Sequence, residues 1–151
     1  MRKVFVFFLA TVICTSASAQ FVARMQLKES VKGVCNEKNV IVAFPGFSDQ
    51  EEAVSPASEK EIVEKLNSGV TFLHDKPDFE DKGMINLIIN CKGELVQSKM
   101  DLKTKDPALD AQIEAVFKSL IEWKPAKLKG KKVDSARLYS FKIVKGKFTF
   151  D

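Results

Sequence analysis

The chain is poor in the residues on which enzyme active sites usually depend. Its 151 residues include a single histidine, His74, with one tryptophan, one tyrosine and three cysteines. One histidine leaves few general bases that titrate near neutral pH. The sequence also lacks the nucleophile-elbow, phosphate-loop, H-E-x-x-H and C-x-x-C motifs. We therefore predict that the protein is not an enzyme and uses no cofactor.

Metal ligands are equally scarce. His74 and two cysteines fall short of a closed zinc shell. The acidic loop that follows His74 does not have the spacing of a calcium-binding loop. Asp110 and Glu114 lie one turn apart on a predicted helix, where we interpret them as a solvated face. The sequence thus predicts no metal site.

Aromatic residues are missing where the positive charge concentrates. The local excess of lysine comprises Lys124, Lys127, Lys129, Lys131 and Lys132. Nucleic-acid binding requires basic residues interleaved with stacking aromatics on one face, and this cluster has only Trp123 nearby. We interpret the cluster as a solvated basic loop and predict no nucleic-acid partner. Trp123 itself is predicted to plug the core at a helix end, because tryptophan is mostly buried.

Long apolar runs are limited to the start of the chain. Arg2 and Lys3 precede an apolar run, 4–14, and Ala17 and Ala19 follow in the A-x-A arrangement of signal-peptidase sites. We predict a signal peptide over 1–19, cleaved after Ala19, and a periplasmic or secreted product with no stable membrane insertion. Two alternatives are an uncleaved anchor and a lipoprotein centred on Cys14, where bulky Ile13 is unfavourable.

Two cysteines, Cys35 and Cys91, remain after cleavage. An oxidising compartment and an even count favour one disulfide between them. The alternative is a pair of free thiols. About 130 residues would remain after cleavage, enough for one domain with its own core.

The second half of the chain predicts a strand, hairpin, strand, helix, strand order. Apolar residues alternate along 84–91, and Lys92-Gly93 supplies a tight turn into a strand over 95–102. Asp106-Pro107 is a typical helix start, and Trp123-Lys124-Pro125 predicts its end. A basic turn around Gly130 leads to a last long strand over 137–144. The aromatic tail, 148–150, is predicted to pair back or to cover the core.

The first half of the chain has weaker signals. Ser58 to Glu61 forms a capping box, which predicts a short helix ending at Gly69. Residues 31–35 and 40–44 predict a small hairpin within an N-terminal segment, 20–43. Residues 21–33 would permit a short helix, 70–73 a brief strand, and 48–57 a surface loop.

The ordered set of motifs over 44–151 resembles the C-terminal domain of TonB-type proteins. The resemblance is carried by a Lys-Gly turn between strands, the following helix, a W-K-P-A segment and an aromatic last strand, with an F-P-G segment in front. The motif residues are Phe44, Pro45, Gly46, Gly93, Trp123 and Pro125.

This resemblance implies an α+β fold, a small antiparallel sheet of about three main strands with two helices packed on one face. It also implies a module that captures an extended segment of an outer-membrane or other envelope protein by strand addition. We expect the last long strand to be the free edge, with the binding residues Arg137, Tyr139, Phe141 and Ile143. Alternatively, Lys142 and its basic surroundings only protect that edge from aggregation.

The chain departs from energy-transducing members of the family, which keep a membrane anchor and a long Pro-rich spacer. A stand-alone domain is therefore the favoured interpretation. A TonB-like transducer component remains an alternative if the leader is an uncleaved anchor. A structural envelope protein without a receptor role is another.

Overall fold

The strands and helices fall close to where the apolar patterns predict them. The computed structural model describes residues 22–27, 29–44 and 46–150, so the predicted leader lies outside the described residues. The strands are β1 (Ala23–Met25), β2 (Val40–Val42), β3 (Gln50–Glu51), β4 (Asp81–Ile89), β5 (Leu95–Leu102), β6 (Ala126–Leu128), β7 (Lys131–Val133), β8 (Ser135–Val144) and β9 (Lys147–Phe150). The helices are α1 (Glu59–Gly69) and α2 (Pro107–Lys118).

The main sheet is mixed, and it contains more strands than predicted. Its order is β1-β2-β8-β4-β5, with β9 also paired to β8. The β2–β8 pair is parallel and the other pairs are antiparallel. The predicted three main strands lie side by side in the order β8-β4-β5, with β5 at one edge, and the short strands β1, β2 and β9 enlarge the sheet on the β8 side. A second sheet joins β3, β6 and β7.

Both helices pack on one face of the main sheet, as predicted. The sheet contributes one alternating set of buried side chains: Ile85, Leu87, Ile89, Tyr139, Phe141 and Ile143. The helices contribute their apolar stripes: Ile62, Leu66, Leu109, Ile113 and Phe117. Since alternate strand residues face opposite sides, this set leaves the intervening residues of β4 and β8 on the outer face.

Both helices begin at the predicted caps. The Ser58 hydroxyl accepts from the Glu61 N–H, and the Glu61 carboxylate accepts from the Ser58 N–H at 2.7 Å. Asp106 caps α2 by accepting from the Ala108 N–H. The second helix ends at Lys118, earlier than its predicted end near Trp123.

The motif residues Gly93, Trp123 and Pro125 meet in space. Gly93 has a φ of +88°, and a Cβ built on it would lie 2.2 Å from the Trp123 carbonyl oxygen. Trp123 is 4% exposed, and its indole N–H donates to the Leu120 carbonyl at 2.8 Å. The prediction that Trp123 plugs the core is confirmed, and the close approach explains why glycine is needed in this turn.

Several local predictions in the first half are wrong. Residues 21–33 hold no described helix; instead β1 pairs with β2, so 31–35 is not the hairpin partner of 40–44. Thr71–Leu73 is a 3-10 helix rather than a strand. The predicted surface loop 48–57 contains β3 and a bridge from Val54 to Lys124. Short segments such as these take their conformation from tertiary partners rather than from propensity.

Replacing Gly93 with alanine should lower the free energy of unfolding by about 3 kcal/mol, since the new Cβ adds a clash to an unfavourable φ. Urea unfolding monitored by Trp123 fluorescence would measure it. Gly130→Ala is the matched control, because Gly130 has a φ of +74° but no neighbouring atom within 4 Å of a built Cβ. Gly130→Ala should lower the free energy of unfolding by only about 1 kcal/mol. Equal losses would contradict the steric role of the Trp123 carbonyl.

The capping box should make stability depend on acid pH. The Ser58 N–H and hydroxyl hold the pKa of the Glu61 carboxyl below its ordinary value of 4.5. Ionised Glu61 therefore stabilises the fold above that value, and the benefit is lost as the pH falls through the lowered pKa. We expect Glu61→Gln to melt earlier than wild type at neutral pH and alike at strongly acidic pH. Glu59→Gln, which removes no reciprocal cap, is the control, and a difference independent of pH would contradict the prediction.

Candidate functional site

The last long strand lies inside the sheet, so the prediction that it forms the terminal edge is wrong. One side of β8 pairs with β4 over all but its last residue, from Ser135 to Ile143. On its other side, β2 pairs at Ser135 and β9 pairs from Phe141 to Val144. The alternating pattern of β8 predicts a strand with one buried face. It does not predict which strands pair with β8 on either side.

A short part of this second border has no strand partner among the described residues. It comprises residues 136–140, between the ends of β2 and β9. We call it the β8 opening. At about 3.4 Å per residue, it is roughly 17 Å long.

The direction of the backbone groups along β8 follows from one hydrogen bond. The Ile41 N–H donates to the Asp134 carbonyl at 3.0 Å, so the Asp134 carbonyl faces β2. Successive residues of a strand alternate, and the β4–β8 register shows no shift. The Ala136 C=O and the N–H and C=O groups of Leu138 and Ser140 therefore face the opening. The Ala136 N–H belongs to the parallel pair with Ile41, and the groups of Arg137 and Tyr139 face β4.

The predicted binding residues consequently belong to the core face. Tyr139, Phe141 and Ile143 are 6%, 0% and 1% exposed and pack under the helices. Arg137 donates to the Ala53 carbonyl at 2.7 Å and lies 3.5 Å from the Glu52 carboxylate. These four side chains lie on the core face of β8. The backbone groups of Arg137 and Tyr139 face β4 and those of Phe141 and Ile143 lie beyond the opening, so none of them is available to a new strand.

The environment of Tyr139 is apolar with one cation nearby. Burial raises the pKa of the Tyr139 phenol above its usual value, while the Arg137 charge and a hydrogen bond with Ser55 oppose that shift. Its ring lies 5.4 Å from those of both Phe117 and Phe150. Tyr139 thus packs β8, beside the opening, against α2 and β9.

Sequence reasoning missed the residues that face the opening. Leu138 is 43% exposed and Ser140 is exposed, and both side chains point to the outer face. Their alternation with Tyr139 was visible in the sequence. What the sequence did not show is which border of the strand is occupied.

Two other strand borders each have an N–H occupied by a helix side chain. On β5, the Met100 N–H donates to the Glu114 carboxylate at 2.9 Å. On β9, the Phe148 N–H donates to the Asn67 side-chain oxygen at 2.9 Å. These bonds protect the borders of β5 and β9 against further pairing.

The interpretation of Asp110 and Glu114 as a solvated helix face is therefore wrong. Asp110 is 8% exposed and accepts from the N–H and hydroxyl of Thr104 at 2.9 and 2.7 Å. Glu114 caps the edge of β5. Both carboxylates hold neighbouring backbone in place, a role that helical spacing alone does not reveal.

The Cys35–Cys91 disulfide is present, as predicted, with a Cα–Cα distance of 6.1 Å. It ties the N-terminal segment to the β4–β5 turn. Closing its loop is worth about 4 kcal/mol on the chain-entropy model. Because the N-terminal segment supplies β1 and β2, the disulfide also holds one boundary of the β8 opening.

Asp134 holds this disulfide from the side of β8. Its carboxylate is 2% exposed and accepts three backbone N–H groups, those of Cys35 at 3.1 Å, Asn36 at 2.6 Å and Cys91 at 2.9 Å. A carboxylate with three donors is a satisfied buried charge. Nothing in the sequence marked Asp134.

The two sulfurs and the Asp134 carboxylate lie within 4.8 Å of one another. In the structure the sulfurs are bonded to each other and the carboxylate is occupied by N–H donors. This arrangement is a structural junction between two chain segments. The prediction of no metal site stays a prediction.

The F-P-G segment lies before β3. Phe44 is 40% exposed, Gly46 has a φ of +96°, and Pro45 is outside the described residues. A Cβ on Gly46 would have no atom within 4 Å, so its positive φ favours glycine there and, unlike at Gly93, no close approach does.

Comparison of the chain with protein-family models, curated proteins and solved structures finds no match. Within the described residues, no helix has the length and apolar character needed to cross a membrane. The assignment of a function therefore depends on the geometry of the chain itself.

Replacing Asp134 with asparagine should lower the free energy of unfolding by about 3 kcal/mol, because the amide offers one acceptor oxygen to three N–H groups. Asp101→Asn on β5 is the matched control. Because Asp101 is exposed, this variant should change the free energy of unfolding by no more than about 0.5 kcal/mol. Denaturant unfolding of both oxidised variants would measure the difference. Similar losses would show that the three hydrogen bonds contribute little.

Proposed function

We propose that the chain is a non-enzymatic, periplasmic or secreted binding module of TonB C-terminal type. It pairs with an extended segment of an outer-membrane or other envelope protein by strand addition. The observation that carries the proposal is the β8 opening, where the backbone groups of Leu138 and Ser140 have no strand partner among the described residues.

The surrounding structure favours this use of the opening. Two helices back the sheet on one face, which keeps β8 in a fixed extended conformation. A preformed strand pairs with a peptide at a smaller entropic cost than a flexible segment does. On the borders of β5 and β9, one N–H each is already bonded to Glu114 or Asn67, which disfavours pairing of a peptide there.

The size of the opening predicts a weak interaction. Outward N–H and C=O groups at Leu138 and Ser140 offer four hydrogen bonds, each worth about 1 kcal/mol net. A total of about 4 kcal/mol corresponds to a Kd of roughly 1 mM. The partner must therefore add side-chain contacts with Leu138 or with the residues beside Arg137 and Tyr139. Alternatively, the partner is held close to the opening by another attachment.

The disulfide supports the export that this proposal needs. Disulfides persist in oxidising compartments such as the periplasm and are rare in reducing ones. Cys35–Cys91 also fixes the N-terminal segment beside the opening. The predicted signal peptide, 1–19, would supply the route to that compartment.

Leu138→Pro tests the strand-addition step, because proline removes an N–H that faces the opening and not one that pairs with β4. We expect it to abolish capture of envelope proteins by the immobilised exported protein. Leu138→Val is the matched control: it keeps the N–H and a strand-forming side chain, and capture should persist. Thermal melting monitored by circular dichroism would verify that both variants fold.

A second measurement keeps the test decisive if the proline variant unfolds. Hydrogen exchange of wild-type backbone amides, with and without the captured protein, should show new protection at Leu138 and Ser140. Protection confined to β5, or capture that Leu138→Pro leaves unchanged, would refute strand addition at β8.

A further inference from the structure

The outer face of the main sheet is divided into two halves. Over one half, the N-terminal segment covers Ile88 and Ala136, which are 0% and 4% exposed, with Met25, Leu27 and Val31 packed against them. On the other half, the Asn86 side chain still donates to the Met25 sulfur at 3.6 Å, whereas Leu102, Leu138 and Val144 are exposed. Its apolar side chains therefore need a separate explanation.

Strand register shows which residues share this second half. Leu138 pairs with Asn86, which pairs with Lys99; Met84 pairs with Leu102. Val144 pairs with Lys147 at the end of the β8–β9 hairpin. We define the outer half-face by Lys82, Met84, Lys99, Leu102, Leu138, Val144 and Lys147.

Three apolar side chains on the outer half-face are exposed. Leu102, Leu138 and Val144 are 46%, 43% and 47% exposed. They are spread over three strands rather than gathered in a groove. Neighbouring strands are about 4.8 Å apart, so the half-face extends roughly 14 Å from β5 to β9.

The charge around these side chains has almost one sign. Lys82, Lys99 and Lys147 are exposed and form no ion pair with a described side chain. The carboxylates of Asp101, at the bulge in β5, and Glu29 line one cavity together with Lys99. Lysine can bury its alkyl stem beside an apolar surface while its ammonium reaches outward.

The shape of the half-face decides between two kinds of anionic partner. Protein partners gain most affinity from anchor side chains that fill pockets. Three cavities among the described residues include Lys99 or Lys147 in their lining but none of Leu102, Leu138 and Val144. An open surface with scattered apolar side chains and flanking lysines suits a lipid surface, which needs no fixed shape.

We propose that the outer half-face binds peripherally to the surface of an anionic lipid membrane. Leu102, Leu138 and Val144 enter the headgroup region, and Lys82, Lys99 and Lys147 approach the lipid phosphates. This surface is separate from the backbone groups of the β8 opening. Contact with a lipid surface would concentrate the module near envelope proteins.

Co-sedimentation of the full chain, purified after export, with lipid vesicles tests this proposal. We expect binding to vesicles that contain phosphatidylglycerol and little binding to vesicles of phosphatidylcholine alone, with binding falling as salt is raised. The double substitution Lys82→Glu and Lys147→Glu should weaken binding at least about tenfold.

The matched control is Lys60→Glu with Lys65→Glu, the same change of net charge on α1, across the sheet from the half-face. It should retain most of the binding. Equal loss in both double variants would mean that net charge alone attracts the protein, and would overturn the proposal. Absence of binding to anionic vesicles, or equal binding to neutral ones, would overturn it as well.

Neither charge-reversed lysine supplies a backbone group to the β8 opening. The variants therefore separate this proposal from strand addition: Lys82→Glu with Lys147→Glu should lose vesicle binding and retain protein capture. Melting temperatures close to wild type would show that each double variant is folded.

Discussion

The antiparallel pairing of β4 with β8 is the interaction on which the rest of the structure depends. It runs without a register shift from Asp81 opposite Ile143 to Ile89 opposite Ser135. Since side chains alternate along both strands, this one register places Tyr139, Phe141 and Ile143 against the helices. It also places Leu138 and Val144 on the outer face. A shift by one residue would exchange the two sets.

Two junctions hold the ends of the chain to this pair. At one end, the Cys35–Cys91 disulfide and the Asp134 carboxylate fix the N-terminal segment beside β8. At the other, β9 folds back on β8, and Asn67 of α1 caps its Phe148 N–H. Each junction joins residues far apart in sequence. Together they define the β8 opening, which exists because neither short strand covers the middle of β8.

The two proposed surfaces follow from the same strand in different ways. The β8 opening offers backbone groups, which are independent of side-chain type and give modest affinity. The outer half-face offers side chains, whose charge and apolar area depend on residue type. Leu138 lies at the boundary, with its backbone toward the opening and its side chain on the half-face. A module with both surfaces could meet an envelope protein and its membrane together.

The sequence by itself determined the elements that local chemistry encodes. Alternating apolar residues predicted β4 and one face of β8, and the Lys92-Gly93 turn with strand-like composition predicted β5. The capping residues Ser58 and Asp106 predicted both helices, and an oxidising compartment predicted the disulfide. Only the tertiary structure decided the borders. Whether β8 is an edge depends on where β2 and β9 pair, which the local patterns of 40–44 and 148–150 did not specify. The roles of Asp134 and Glu114 depend on backbone groups brought from distant segments. Pairing and capping across long sequence separations leave no periodic trace in the chain, because the energy arises only when the partners meet.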